Sequence, residues 1–185
     1  MDDLLLYAEN AVRRGDFEDA IETFTAVLVE EPDNVRALAG IGVALTESGE
    51  NEKAEKALAY CLRLDPANVE ALEAMGCSCL RRSRYELAEE HLTRASKLDP
   101  ENASVLRNLS VLYSRTGREK ESVETLKRSY DLNPRDYLTL YALSFAYMNE
   151  GSRDRARRVL NELLDLDVPA EIRALAEEQR KKIDA

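Results

Sequence analysis

Every proline in this chain of 185 residues occupies one repeating position. Pro32, Pro66, Pro100 and Pro134 follow one another at intervals of 34 residues, and Pro169 comes 35 residues later. Self-similarity at a fixed period of about 20–50 residues is typical of stacked repeats, in which each unit buries its apolar face against its neighbours. The spacing therefore predicts an array of like units rather than one globule around a single core.

Apolar and small residues recur at four positions ahead of each proline, spaced as i, i+3, i+4 and i+7. Steps of three and four define one face of an α-helix, so we expect these positions to form the core side of a first helix. The four columns are Leu4, Leu38, Leu72, Leu106 and Leu140; Tyr7, Ile41, Met75, Leu109 and Leu143; Ala8, Gly42, Gly76, Ser110 and Ser144; and Ala11, Leu45, Cys79, Tyr113 and Tyr147.

A turn and a second helix complete each unit. Glycine, which readily closes a helix in the left-handed conformation, marks the turn in four repeats, and Ser83 replaces it in the third. The second helix carries one small and one large column and ends at the proline, which cannot continue a helix. Large residues of one helix then face small residues of the other. The two columns are Ala20, Ala54, Ala88, Ser122 and Ala156; and Phe24, Leu58, Leu92, Leu126 and Leu160.

These columns resemble the tetratricopeptide repeat, whose pattern is W-x2-L-G-x2-Y…A-x3-F…P. The chain departs from that pattern in having leucine for the first tryptophan, Ser83 for a turn glycine and one extra residue before Pro169. The resemblance implies an all-α fold, a right-handed α-solenoid of helix–turn–helix repeats. Its five repeats are residues 1–34, 35–68, 69–102, 103–136 and 137–170.

The ends of the chain differ in character. Residues 171–185 place Ile172, Leu175, Ala176 and Ile183 on one side and charge elsewhere, which predicts a C-terminal capping helix. At the other end, residues 4–6 begin the first helix with no such cap. Two alternatives remain for that end: the chain is part of a longer one, or the end docks on a partner.

Charge and composition disfavour several functions. The net charge is −10, and residues 1–34 hold ten acidic and two basic residues, so we expect no nucleic-acid partner. The acidic first repeat serves solubility or steers a basic partner. No apolar run reaches 18 residues and the start resembles no signal peptide, so we expect no membrane insertion and a cytoplasmic location.

The reactive residues are few. Cys61, Cys77 and Cys79 with a single histidine, His91, give no zinc ligand set, and we expect buried free thiols. No nucleophile–base pair or phosphate-binding loop is present, so we expect no enzyme, no cofactor and no small-molecule substrate.

By resemblance, the first helices line a concave groove that binds extended peptides or partner helices. Four groove columns flank the core columns. In the first two repeats they contain Leu5 and Ala39, Glu9 and Val43, Val12 and Thr46, and Arg13 and Glu47. The residues we predict to bind a partner are Arg81, Arg107, Val111, Arg115, Leu138, Tyr141, Phe145 and Met148.

Two interpretations apply to the arginines. Their guanidinium groups suit a carboxylate or an acidic peptide. Alternatively, they pair internally, because Glu47 precedes Arg81 and Glu73 precedes Arg107 in the same columns.

The first helix of the fifth repeat, residues 137–148, carries a second apolar stripe beside its core columns. A helix that is apolar nearly all round is either buried or awaiting a partner. Either the stripe anchors a partner, or residues 171–185 or a second copy cover it. The stripe consists of Leu138, Tyr141, Phe145 and Met148.

The sequence thus predicts a non-enzymatic adaptor that binds a peptide or partner helix. The alternatives are a self-assembling scaffold and a chaperone of secreted or assembling proteins. Members that hold a terminal carboxylate of chaperones use a Lys/Asn/Asn/Lys/Arg set, and that set is absent here. The corresponding residues are Leu5, Glu9, Gly40, Glu70 and Ala74.

Overall fold

The computed structural model describes residues 1–184, and this part of the chain folds into eleven α-helices without a strand. The predicted all-α class of helix–turn–helix repeats is confirmed. The helices are α1 (Asp2–Arg14), α2 (Phe17–Glu30), α3 (Val35–Glu47), α4 (Asn51–Leu64), α5 (Val69–Arg81), α6 (Tyr85–Leu98), α7 (Ala103–Arg115), α8 (Glu119–Leu132), α9 (Tyr137–Asn149), α10 (Arg153–Leu164) and α11 (Ala170–Asp184).

The helices group into two compact units, one of residues 1–100 and one that begins at Glu101. In the first unit, the hairpins α1–α2, α3–α4 and α5–α6 stack because α2 packs on α3 and α4 packs on α5. In the second unit, α8 of the hairpin α7–α8 packs on α9, and α10 packs on α11. First helices also touch within a unit, α1 with α3, α3 with α5 and α7 with α9.

Close approach of the two helices in a hairpin depends on the small column of the first helix. A Cβ atom on Gly42 would lie 2.2 Å from Leu58 Cδ2, and one on Gly76 would lie 2.5 Å from Leu92 Cγ. Leu58 and Leu92 are fully buried. The predicted contact of large residues with small ones is therefore present, and neither glycine has room for a side chain.

Each first helix after α1 begins at an amide or carboxylate cap that we did not predict. The Asn34 side chain accepts a hydrogen bond from the Ala37 amide at 3.0 Å, and Asn68 and Asn102 repeat the arrangement. Asp136 does the same for α9. Such caps satisfy backbone amides that have no partner within the helix. The sequence contains the pattern that predicts these caps, since Asn or Asp recurs two residues after four of the prolines.

The first hairpin differs from the predicted burial. Leu4 is 45% exposed and Tyr7 is half exposed, although the equivalent residues of the other repeats are buried, and Leu5, which we predicted to line the groove, is buried. Leu4 and Tyr7 are exposed because no other helix among residues 1–184 packs on their side of α1. The equivalent sides of α3 and α5 are covered by α2 and α4. The Tyr7 hydroxyl instead donates to Asp19 Oδ2 at 2.8 Å.

The last hairpin ends differently from the others, as the extra residue before Pro169 predicts. Helix α10 ends at Leu164, two residues shorter than the other second helices, and Pro169 directly precedes α11. The Arg173 guanidinium donates to the carbonyls of Leu164 and Leu166 at 2.9 and 2.8 Å. These bonds satisfy carbonyls at the end of α10 that lack partners within the helix.

We expect Gly76→Leu to lower the free energy of unfolding by about 1–3 kcal/mol, because an added side chain collides with buried Leu92. Urea unfolding followed by circular dichroism measures the change. Ala67→Leu, at an exposed turn position, is the control and should leave stability within about 0.5 kcal/mol. Equal effects of the two substitutions would contradict the close packing described here.

We expect Ser83→Gly to stabilise the chain. Ser83 has φ 56°, in the left-handed region that the turn glycines of the other repeats occupy at φ 76–87°. The left-handed region costs an L-residue roughly 1–2 kcal/mol, and substitution by glycine removes that cost. The greater conformational freedom of glycine in the unfolded chain offsets about 0.5–1 kcal/mol of the stabilisation. Thermal unfolding should show a raised midpoint, and Ser83→Ala should not raise it.

Candidate functional site

Arg81 lies at the C-terminal end of α5 and pairs with the preceding hairpin. Its Nη2 is 3.1 Å from Glu47 Oε2 across the two first helices, and both side chains are exposed. This is the internal pairing that the columns allow. An exposed pair contributes only about 0–1 kcal/mol, so Arg81 can exchange Glu47 for a partner carboxylate at small cost.

Arg107 is held by its own unit rather than presented to solvent. Its guanidinium forms an ion pair with Asp136, the cap of α9, and its side chain is only 18% exposed. Nη2 also donates to Ser104 Oγ at 3.0 Å. The pairing of Arg107 with Glu73 stays a prediction.

Asp136 joins Arg107 to a buried polar network at the start of α9. The Thr139 hydroxyl donates to Asp136 Oδ2 at 2.6 Å, and Thr139 Oγ1 lies 3.0 Å from Ser129 Oγ. The Ser129 hydroxyl in turn bonds the carbonyl of Ala103 at 2.7 Å. The network ties α7, α8 and α9 together, which gives Arg107 a structural role.

Val111 and Arg115 lie on the outward face of α7. Val111 is exposed and occupies the same column as Phe145 on the neighbouring first helix α9. Arg115 is exposed and makes no ion pair with any residue between 1 and 184. The second unit thus presents an apolar surface, and Arg115 lies one helical turn after Val111 on α7.

The predicted stripe of α9 is divided between exposed and half-buried residues. Phe145 is 45% exposed and Leu138 is 39% exposed, while Tyr141 and Met148 are half-buried against the core of the unit. The rings of Tyr141 and Phe145 meet edge to face with centroids 5.0 Å apart. This is a favoured geometry for an aromatic pair, and it holds Phe145 in place while leaving much of the ring in water.

Helix α11 covers one side of α9 but leaves the two exposed members of the stripe open. It packs through Ala176 and Ile183 into the core that α9 and α10 share, and the Ser144 hydroxyl donates to Gln179 Oε1 at 3.0 Å. Burial raises the pKa of the Tyr141 hydroxyl, and the charge of Glu178 on α11 adds to this effect.

Two predicted groove positions in the first unit are closed. Ala39 is buried, and Thr46 is buried with its hydroxyl donating to the Gly42 carbonyl at 2.8 Å. Our placement of these two residues on an open groove was wrong, because neighbouring hairpins pack against that side of α3. The exposed positions of α3 and α5 nearest to them are polar, as at Glu47 and Arg81.

Two cysteines and the histidine are held in their neutral forms by burial. Burial raises the pKa of the Cys61 thiol to about 11, and burial also raises the pKa of Cys79, so both stay protonated at neutral pH. Burial lowers the pKa of His91, which keeps that imidazole neutral. Between residues 1 and 184, no cluster of three or more His, Cys, Asp or Glu could hold a metal ion. None of the described helices combines the length and apolarity that crossing a membrane requires.

Residues 4–178 match the family model of the cilia and flagella-associated protein 70 C-terminal domain, a tetratricopeptide repeat domain. The chain belongs to this tetratricopeptide repeat family. The match spans all five hairpins and most of α11. It confirms the family that the spacing of the prolines and the repeated columns indicate. A search of curated proteins found no match.

Several solved tetratricopeptide structures share the fold. TTC0263 of Thermus thermophilus has a TM-score of 0.87 and 17% identity, over 96% of this chain and 97% of that chain. PilF of Pseudomonas aeruginosa has a TM-score of 0.77 and 19% identity, over 98% of this chain and 87% of that chain. YrrB, described as a tetratricopeptide protein with an unusual peptide-binding site, has a TM-score of 0.63 and 16% identity, over 95% and 90%.

We expect Asp136→Ala to lower the free energy of unfolding by about 2–4 kcal/mol, since it removes a helix cap and leaves the mostly buried Arg107 unpaired. Asp136→Asn keeps the cap and should cost about 1 kcal/mol less. Urea titrations of both variants measure the difference. Equal losses would show that the cap contributes nothing, and no loss would contradict the network.

Proposed function

We propose that this tetratricopeptide repeat domain is a non-enzymatic adaptor that captures a peptide or partner helix in the groove lined by the exposed side of its first helices. The α9 stripe is the anchor of that interaction. The observation that carries the proposal is the exposure of Phe145 and Leu138 on a helix whose opposite side already fills the core with Leu140, Leu143 and Tyr147.

The chemistry of the stripe suits an interface. Aromatic residues are enriched among the few positions that dominate binding energy, and methionine adapts its shape to different partners. Val111 extends the apolar surface from α9 to α7, and Arg115 supplies a free cation near it for an acidic group of the partner. The description of YrrB as a peptide-binding tetratricopeptide protein agrees with such a use of this fold.

The test is to select peptides from a displayed random library against the full chain and to measure one of them by fluorescence anisotropy. Phe145→Ala should weaken its binding by roughly tenfold or more, as truncation of an interface anchor does. Phe145 is preferable to Tyr141 for this purpose because Tyr141 is half-buried and contributes to folding.

Leu132→Ala is the matched control, because Leu132 is a similarly exposed apolar residue at the end of the second helix α8. It should leave the affinity unchanged, and circular dichroism should show the same helix content for both variants. A peptide that binds Phe145→Ala as tightly as the parent chain would exclude the stripe as the anchor.

Self-association through α1 is a second candidate, favoured by the exposed side of the first hairpin. Met1, Leu4, Leu6 and Tyr7 are each about half exposed, and in the other repeats the positions of Leu4 and Tyr7 are buried. Light scattering over a concentration series distinguishes this candidate. A chain that remains monomeric at high concentration excludes it, and loss of oligomers in Leu4→Ser would support it.

A further inference from the structure

A pocket of about 270 Å³ lies in the second unit and is lined by α8, α9 and α10. Its floor contains the buried side chains of Leu143 and Tyr147, and its rim contains the exposed side chains of Lys127, Arg155 and Arg158. A volume of this size is smaller than most sites for cofactors or drug-sized ligands but sufficient for an amino-acid side chain.

The pocket is basic, although the chain as a whole carries a net charge of −10. Lys127 and Arg158 make no ion pair with any other residue in the described part of the chain. Arg155 Nη1 lies 3.5 Å from Glu150 Oε2, and its guanidinium carbon is 5.7 Å from the centre of the Tyr147 ring. An exposed pair at that distance is weak, so Arg155 remains available to a ligand.

One carboxylate lines the pocket, and it is already engaged. The Tyr130 hydroxyl donates to Glu162 Oε2 at 3.0 Å, and this bond raises the pKa of Tyr130. Burial raises the pKa of Tyr147, while the nearby charges of Arg155 and Arg158 oppose that shift. Both hydroxyls are therefore protonated at neutral pH, and the Tyr147 hydroxyl adds a donor to the three cations.

The fold does not require these cations. At the positions of Arg155 and Arg158, the fourth and the first repeats have acidic residues, and the third has leucine and glutamate. Among the other repeats, the second has lysine at both positions. No earlier repeat has a counterpart of Lys127 or Tyr130. The residues at these four positions in the other repeats are Glu121, Leu87, Lys53 and Asp19; Glu124, Glu90, Lys56 and Glu22; Thr93, Ala59 and Thr25; and Ser96, Leu62 and Leu28.

The pocket lies apart from the α9 stripe. Successive residues of an α-helix are about 100° apart, so Phe145 and Tyr147 point to nearly opposite sides of α9. The exposures agree with this geometry, since Tyr147 is buried under the pocket and Phe145 is open to water on the other side. A ligand of the pocket therefore contacts α8, α10 and the Leu143–Tyr147 side of α9, and not the side of α9 that carries Phe145.

We propose that this pocket binds an anionic side chain, a carboxylate or a phosphate, displayed by an acidic segment of a partner protein. Guanidinium groups bind both kinds of anion through paired N–H donors, and Lys127 adds a point charge on the opposite rim. The Tyr147 ring and Leu143 receive the aliphatic part of the same side chain.

Fluorescence anisotropy with three labelled peptides tests the proposal on the full chain. The peptides share one Gly/Ser-spaced sequence and carry glutamate, phosphoserine or glutamine at the same three positions. We expect the glutamate or the phosphoserine peptide to bind roughly tenfold or more tightly than the glutamine peptide at an ionic strength of about 0.15 M, where distant exposed charges are largely screened. Preference between the first two identifies whether the natural group is a carboxylate or a phosphate.

Arg155→Gln with Arg158→Gln removes both guanidinium groups and should reduce that affinity roughly tenfold. The matched control is Arg128→Gln with Arg153→Gln, which changes the net charge of the chain by the same amount. Arg128 lies on α8 and Arg153 on α10, and neither lines the pocket. The control should change the affinity by less than roughly twofold, because the screened charge of the surface acts weakly at a distance.

Equal losses in the two double variants would overturn the proposal, since they would reduce it to non-specific attraction. Equal affinity of the parent chain for all three peptides would also overturn the proposal. Two-dimensional NMR of the parent chain with the preferred peptide gives an independent readout. Shifts confined to the lining residues of α8 and α10 and to Leu143 and Tyr147 of α9 support the site, and shifts centred on Phe145 contradict it.

Discussion

Within each compact unit, the first helices α3, α5 and α9 rely on the preceding hairpin to cover one apolar side. Small residues permit the close contacts, both between hairpins, where Gly40 admits Phe24, and within a hairpin, where Gly42 admits Leu58. Burial of such side chains stabilises by about 1.5–3 kcal/mol each, and it is available only when the partner helix is present. Stacking is thus a condition of stability for each repeat and not an addition to it.

The same dependence accounts for the parts of the surface that are available for binding. On the side of α1 that no other described helix covers, residues of core columns are exposed, and these are Leu4 and Tyr7. Where a helix is already covered on its core side, additional apolar residues cannot be buried. Phe145 and Leu138 are in that position, and α11 reaches only the Ser144 and Tyr141 side of α9.

The repeated columns predict one ion pair of the first helices correctly and miss another. The columns correctly place Glu47 beside Arg81, because both lie on first helices one period apart. They did not reveal that Arg107 binds Asp136, since that pair depends on the three-dimensional position of a cap at the start of α9. The caps themselves, Asn34 and its equivalents, recur with the period and could have been recognised from it.

The sequence by itself determined the helical hairpin, its period, the family and the residues that face the core in the inner repeats. It could do so because the same physical requirements recur every 34 residues and reinforce one another in the pattern. Tertiary structure alone decided which repeated positions are uncovered, which cations have partners, and that Lys127, Arg155 and Arg158 meet around one pocket. Burial and ion pairing depend on the neighbours that a residue acquires on folding, and helices distant in sequence supply those neighbours.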